Sequence, residues 1–177
     1  MKCWSKIDRH FLYLKIMIPN IRVGFGFDVH QLKEGRPMIL GGVHIEHDKG
    51  CDGHSDADVL LHAICDALLG AAGMRDIGFH FPNTSAEFKN ADSKNLLKHV
   101  VQLIREKGWQ VINVDATLTL EAPKINPHIG AMIKIIAPIL EVDEDRVAIK
   151  ATTNEKMGYV GSGQGANAYA VALIGKP

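Results

Sequence analysis

At 177 residues the chain has room for one domain with a sizeable core. Its 46% apolar and 23% charged residues are the composition of an ordinary soluble globular protein. Twenty basic and twenty acidic side chains cancel, so no basic field marks a nucleic-acid or anionic-membrane partner. Cys3, Cys51 and Cys65 are odd in number and form no C-x-x-C pair, which suits a reducing cytosol. Cys51 lies near histidines but reads as a small buried residue.

Residues 1–20 stand apart as a leader. They carry Lys2, Lys6, Arg9 and Lys15 against Asp8, and their apolar run from Phe11 to Ile18 ends at Pro19. That run is too short and too charged to span a bilayer, and no small-residue cleavage site follows. The expectation is a start at Met17, with a weak targeting leader as the alternative, and one domain over 21–177.

Ile21 to Val29 alternates apolar and small residues and reads as a strand that delivers Asp28 and His30 to one face. Met38–Leu40 and Val43–Ile45 form a hairpin on Gly41-Gly42, and Lys49 to Gly53 is a loop. The string His54-Ser-Asp-Ala-Asp-Val-Leu-Leu-His62 reads as the opening of a helix with Ser55 as N-cap, running to about Gly70 and turned out by Gly73. On it Asp58, His62 and Asp66 follow one another at i+4 and share a face. Asp76 to Gly78 and Phe81 to Ser85 form an irregular loop rich in donors. Asp92 or Ser93 caps a second helix that buries Leu96, Leu97, Val100, Val101 and Ile104 and stops at Gly108. Trp109–Glu121 is a strand with one polar face, suited to water or to an oligomer axis. Ala122 to Pro127 is a turn-rich loop, and a third helix spans about His128 to Leu140, kinked or ended at Pro138. Arg146–Thr152 is a strand, Thr153 to Gly158 a polar loop, and Gly161 to Gly165 a flexible turn into a last strand, Ala166–Ile174. Strands interleaved with helices predict one α/β domain, an α+β layering of a mixed β-sheet with helices on one face.

Asp28, His30 and His62 can hold a divalent metal with a fourth position open, as a catalytic zinc requires. The alternative is local hydrogen bonding, with His62 paired to Asp58 or Asp66. Gly161 to Gly165 lacks the Lys-Ser/Thr ending of a phosphate-cradling loop. Thr152, Thr153, Glu155 and Lys156 combine hydroxyls, a carboxylate for a hard cation and a positive charge. With Lys124 and the donors of Asp76–Ser85 they suit a phosphorylated substrate.

The strings Gly-Phe-Asp28-Val-His30, His54-Ser-Asp-Ala-Asp58 with His62, and Asp66-Ala-Leu-Leu-Gly70 resemble the 2-C-methyl-D-erythritol 2,4-cyclodiphosphate synthases. So do Asp76-Ile-Gly78, Phe81-Pro82, Ala122-Pro-Lys124, and Lys150-Ala-Thr-Thr153 with Glu155-Lys156. The resemblance covers about Ile21 to Lys176. It implies a lyase of the non-mevalonate isoprenoid pathway that closes 4-diphosphocytidyl-2-C-methyl-D-erythritol 2-phosphate into the cyclic diphosphate and releases CMP.

By the same resemblance Asp28, His30 and His62 hold zinc, Glu155 holds magnesium or manganese, and His54 and Thr153 stabilise the transition state. Substrate contacts then fall on Asp28, Val29, His30, His54, Ser55, Asp76, Ile77, Gly78, Phe81, Pro82, Asn83, Thr84 and Ser85. The cytidine side falls on Leu120, Glu121, Ala122, Pro123, Lys124, Ile125, Asn126, Thr152, Thr153, Asn154, Glu155, Tyr159 and Ser162. Asp58 and Asp66 are expected to orient His54 or His62. The implied assembly is a homotrimer around an inner sheet-lined cavity, with sites between subunits, in a bacterial-type cytoplasm; a plastid-like organelle requires the leader to be a transit peptide. Asn83 and Ser85 depart from acids usual in the family, and Ser162 from a base. A zinc phosphoesterase and a catalytically silent nucleotide- or metal-binding trimer are the competing readings.

Overall fold

The computed structural model describes residues 20–82 and 91–176. The leader through Pro19, and with it Met17, and the expected substrate contacts Asn83, Thr84 and Ser85 lie outside the described residues.

Strand β1 (Ile21–Glu34) runs longer than its apolar alternation and pairs antiparallel from Ile21 to Gln31 with the last strand, β7 (Gly165–Gly175). The hairpin of β2 (Met38–Leu40) and β3 (Val43–Ile45) turns on Gly41 and Gly42, both at positive φ, 58° and 77°, as a tight two-residue turn of the right hand demands. Lys49–Cys51 is a short strand, β4, on the end of β1, where composition pointed to a loop. Beyond the helices come β5 (Gln110–Thr119) and β6 (Val147–Thr152), which pair parallel. The sheet order is β4-β1-β7-β5-β6, mixed as expected.

Helix α1 (Val59–Ala72) begins later than its sequence signals indicate, and Asp58, not Ser55, is its N-cap. Ala57 sits at φ 58°, a left-handed turn that breaks the helical path before the cap. Asp58 is fully buried: its carboxylate accepts from the Leu60 and Leu61 N–H groups and from Gly41 and Gly42 at the hairpin turn. One side chain thus caps the helix and pins the hairpin to it. The far end closes as the sequence indicates, at Gly73 with φ 69°.

Helix α1 lies on β1 and β7, and at Gly24 and Gly26 no strand side chain separates it from β1. A Cβ at Gly26 would stand 1.9 Å from the Ala63 carbonyl oxygen, and one at Gly24 2.0 Å from that of Ala67. The glycines let backbone meet backbone. A one-turn helix, α2 (Ile77–His80), follows. Then α3 (Ser93–Glu106), capped by Asp92, buries the five predicted apolar residues over α1. Helix α4 (Ile129–Leu140) packs on α3 and β6 and continues two residues past Pro138 before ending at Glu141, φ 59°. In the last turn a missing N–H costs only one intrahelical bond. A single turn, α5 (Gly158–Gly161), occupies part of what read as loop before β7.

The opposite face of the sheet exposes Ile21, Val23, Phe25, Phe27 and Val29 from β1 with Tyr169 and Val171 from β7. The Tyr169 ring lies 5.2 Å from Phe27 and 6.4 Å from Phe25. Across the same face β5 and β6 present Asp115, Thr117 and an Asp115–Lys150 ion pair. The polar strand anticipated from the sequence is there, and beside it runs an apolar patch that it did not indicate.

Candidate functional site

Alternation along β1 turns Asp28 and His30 toward α1, and Val29, an expected substrate contact, to the opposite, exposed face. His62, in the first turn of α1 and 8% exposed, meets them. Asp28 Oδ2 lies 3.0 Å from His30 Nε2 and 2.9 Å from His62 Nδ1, and the two nitrogens are 3.2 Å apart. A tetrahedral centre with ligands at about 2.0–2.1 Å has ligand–ligand edges of roughly 3.3 Å, so this triangle fits one. The donor chemistry fits as well. His30 Nδ1 lies 2.8 Å from the Asp52 carbonyl oxygen, which can only accept, so in the neutral ring the proton is on Nδ1 and the Nε2 lone pair faces Asp28. Acceptors crowded this closely repel unless a proton or a metal cation lies between them.

Burial opposes ionisation of Asp28, but hydrogen bonds and charge from His30 and His62 hold its pKa down at about 2. Burial likewise works against a charged His30, and the Asp28 bond and charge outweigh it, raising its pKa. Both cysteines of the domain are buried and carry raised pKa values, Cys51 about 12 through burial, so neither is poised as a thiolate ligand.

The triangle opens into a cavity of about 280 Å³ lined by His54, Ser55, Ile77, Gly78, Phe81 and Leu96 beside Asp28, His30 and His62. Phe81 is buried, its ring edge-on to His99. Eight of the other expected site residues gather elsewhere: Leu120, Glu121, Pro123, Lys124, Ile125, Asn126, Thr152 and Thr153 line a second cavity of about 380 Å³. The two cavities share no lining residue. Thr153 Oγ1 donates to Glu155 Oε1 at 3.0 Å, and Glu121 Oε1 accepts the N–H groups of Asn154 and Lys156. Glu155 and Lys156 stand at φ 51° and 62°. Tyr159, Ser162 and Pro82 are exposed and line neither cavity; Ser162 Oγ donates to the Tyr159 carbonyl.

Asp58 and Asp66 both accept from backbone N–H groups: Asp58 spends both oxygens on them, and Asp66 accepts from the Ile77 N–H at 2.7 Å, tying α2 to α1. The residues on the far nitrogen of His62 are Ser93 and Ser55, at 2.9 and 3.2 Å from Nε2. Ser93 in turn meets Asp56. The sequence signal for Ser93 was its redundancy: Asp92 already caps α3, so an adjacent second capping residue, itself fully buried, is spare.

The sequence matches the family model described as the YgbB family over residues 21–175, which takes in β1 through β7 and both cavities. The chain belongs to the YgbB family. A similar protein is the 2-C-methyl-D-erythritol 2,4-cyclodiphosphate synthase of Cytophaga hutchinsonii, 65% identical over 158 residues, 89% of this chain and 99% of that one. Among solved structures, IspF of Plasmodium falciparum in a CDP complex is 34% identical with a TM-score of 0.78, over 90% of this chain and 99% of that chain. The bifunctional IspDF of Campylobacter jejuni is 43% identical with a TM-score of 0.85 over 89% of this chain. This YgbB chain spans 42% of the length of that bifunctional protein. Among the described residues no helix is long and apolar enough to cross a membrane.

Proposed function

We propose that this chain converts 4-diphosphocytidyl-2-C-methyl-D-erythritol 2-phosphate to 2-C-methyl-D-erythritol 2,4-cyclodiphosphate and CMP. The observation that carries the reading is the Asp28–His30–His62 triangle opening into a cavity that also holds His54, in a chain of this family. An oxygen of the 2-phosphate forms a bond to the β-phosphorus, the bond from that phosphorus to the bridging oxygen breaks, and CMP leaves with the oxygen. Such a transfer needs positioning and charge neutralisation more than a protein nucleophile.

Asp28, His30 and His62 would hold zinc and Glu155 magnesium or manganese; when bound, these ions neutralise and orient the diphosphate. His54 and Thr153 would stabilise charge on the transferring group. Ser55 and Asp76–Gly78, with Phe81 to Ser85, would border the erythritol. Leu120–Asn126 with Thr152 would hold the cytidine side largely through backbone groups, aided by Asn154, Tyr159 and Ser162. Two cavities with no shared residue support a site completed between subunits, and the exposed apolar face of β1 and β7 supports a homotrimer packed sheet to sheet. Bacterial relatives support a bacterial cytoplasm.

Phosphorus NMR of the purified chain with the diphosphocytidyl substrate, zinc and magnesium tests the reading beside His62→Ala. Cyclic diphosphate and CMP from the wild type, lost in the variant, are expected. Inorganic phosphate or a linear diphosphate would instead identify a phosphoesterase. Bound nucleotide without turnover would identify a silent binder.

A further inference from the structure

His62 offers one nitrogen to the ligand triangle and keeps the other in the protein interior. Nδ1 faces Asp28, while Nε2 lies 2.9 Å from Ser93 Oγ and 3.2 Å from Ser55 Oγ. Which nitrogen carries the proton decides whether His62 can be a ligand in this pose, and a hydroxyl cannot settle that alone, because it both donates and accepts. Beyond Ser93, however, stands a group that only accepts when ionised. Ser93 is fully buried, its hydroxyl donates to Asp56 Oδ1 in a short contact, and its backbone N–H donates to Asp56 Oδ2 at 3.0 Å.

With the Ser93 proton committed to Asp56, the Ser93 lone pairs are left to face Nε2 and draw hydrogen there, in competition with the Asp28 carboxylate 2.9 Å from Nδ1. Ser55 is the weaker influence. Its Oγ is farther from Nε2 and already accepts the Ala57 N–H at 3.1 Å. Asp56 is fixed in its turn by its own N–H, which donates to the Ala91 carbonyl at 3.0 Å, and by the left-handed Ala57 that sends Asp56 and Asp58 in different directions. The two imidazoles of the triangle are thus oriented by different means, His30 by a backbone carbonyl and His62 through a serine to a carboxylate.

We propose that Ser93 and Asp56 are the positioning pair of the metal site: they hold the His62 proton on Nε2 and so make Nδ1 the metal donor. The proposal rests on the reading of Asp28, His30 and His62 as metal ligands. Hydrogen-bond partners behind a metal-bound imidazole typically contribute 10–100-fold in metal affinity.

The test uses zinc as the probe, in competition with a chromophoric chelator, on the wild type, Ser93→Ala, Asp56→Asn and Ser93→Thr. Alongside it, long-range proton–nitrogen NMR of ring-labelled histidine, at alkaline pH where imidazoles are neutral, reads which nitrogen of His62 is protonated in the metal-free protein. Expected are Nε2–H in the wild type, zinc binding weakened about 10–100-fold in Ser93→Ala and Asp56→Asn, and recovery in Ser93→Thr, which keeps the hydroxyl. Thermal midpoints of the metal-free variants separate this from unfolding. A wild-type His62 protonated on Nδ1, or unchanged zinc affinity in Ser93→Ala, would overturn the proposal. If the wild type binds no zinc, the ligand reading fails, and the metal-free spectrum alone decides the pair: Nε2–H that shifts in Ser93→Ala supports it, and Nδ1–H refutes it.

Discussion

Gly26→Ala tests whether the metal site is held by backbone contact between α1 and β1. The added Cβ would sit 1.9 Å from the Ala63 carbonyl oxygen and 2.6 Å from the Ala67 nitrogen, and real Cβ contacts do not fall under 3.0 Å. Strand and helix must therefore separate by 1.1 Å at Ala63, taking the gap from 1.9 to 3.0 Å. Neither obstructing atom is a side chain that can swing away. Overpacking costs typically 1–3 kcal/mol, and rigid obstruction on both sides puts this case at the top of that range, about 3 kcal/mol, which lowers the thermal midpoint by roughly 6–12 °C for a domain of this size. The same shift reaches function, because His62 precedes Ala63 and Asp28 is two residues beyond Gly26. Ligand distances tolerate only about 0.2 Å, so zinc affinity should fall on the order of 10-fold or more. Gly130→Ala is the control: that glycine is exposed near the start of α4 with nothing within 4 Å of its Cβ position, and alanine there should add up to about 1 kcal/mol of stability. Urea unfolding and chelator competition on both variants make the comparison. A Gly26→Ala protein with wild-type midpoint and wild-type zinc affinity would refute the reasoning.

Asp58 gives a pH signature. Burial raises its carboxyl from 3.8 to about 6 against the backbone N–H groups that hold it down. The native state therefore binds that proton more tightly than the unfolded chain. The resulting stability is complete below pH 3.8, fades as pH rises through about 6, and amounts to on the order of 3 kcal/mol. Asp58→Asn, neutral throughout, should lack that decline in urea unfolding of the metal-free protein, and parallel pH profiles would contradict the assignment. Phe27→Asp on the exposed sheet face should break up the proposed homotrimer in sedimentation, and an unchanged sedimentation coefficient would count against assembly through that face. Chelation should lower the thermal midpoint, and zinc at about 100 times its dissociation constant should return about 2.7 kcal/mol; a midpoint indifferent to zinc would exclude a metal bound only by the folded chain.

Much of this architecture was legible because each signal was local. The i, i+2 spacing of Asp28 and His30 places both on one face of a strand, whatever the strand packs against. Gly41-Gly42, Gly73 and the apolar rhythm of α3 each report their own few residues. What escaped depended on distance or on a turn without a marker. Ala57 adopts φ 58° although alanine carries no turn signal, so Ser55 was read as the cap and Asp58 as a partner of the histidines. Asp56 and Ser93 stand 37 residues apart, and no periodicity joins them. In β1 the alternation of Val23, Phe25 and Phe27 with Gly24 and Gly26 was visible, but the usual rule that large apolar residues face inward is reversed there: the glycines face α1, and the aromatics face out.

With Glu155 in the role proposed for it, Glu155 and Lys156, consecutive non-glycine residues at φ 51° and 62°, imply a trade between durability and activity in this chain. Each left-handed residue costs on the order of 1–3 kcal/mol, and the Glu121 carboxylate fastens the N–H groups of Asn154, just before the distortion, and of Lys156, within it. A selection for heat resistance alone would drift toward glycine at both positions, since glycine relieves the backbone. Glu155→Gly should accordingly melt later than the wild type while losing the carboxylate beside Thr153. Thermostable descendants that keep turnover would have to gain their stability elsewhere, and their substitutions should cluster away from this loop.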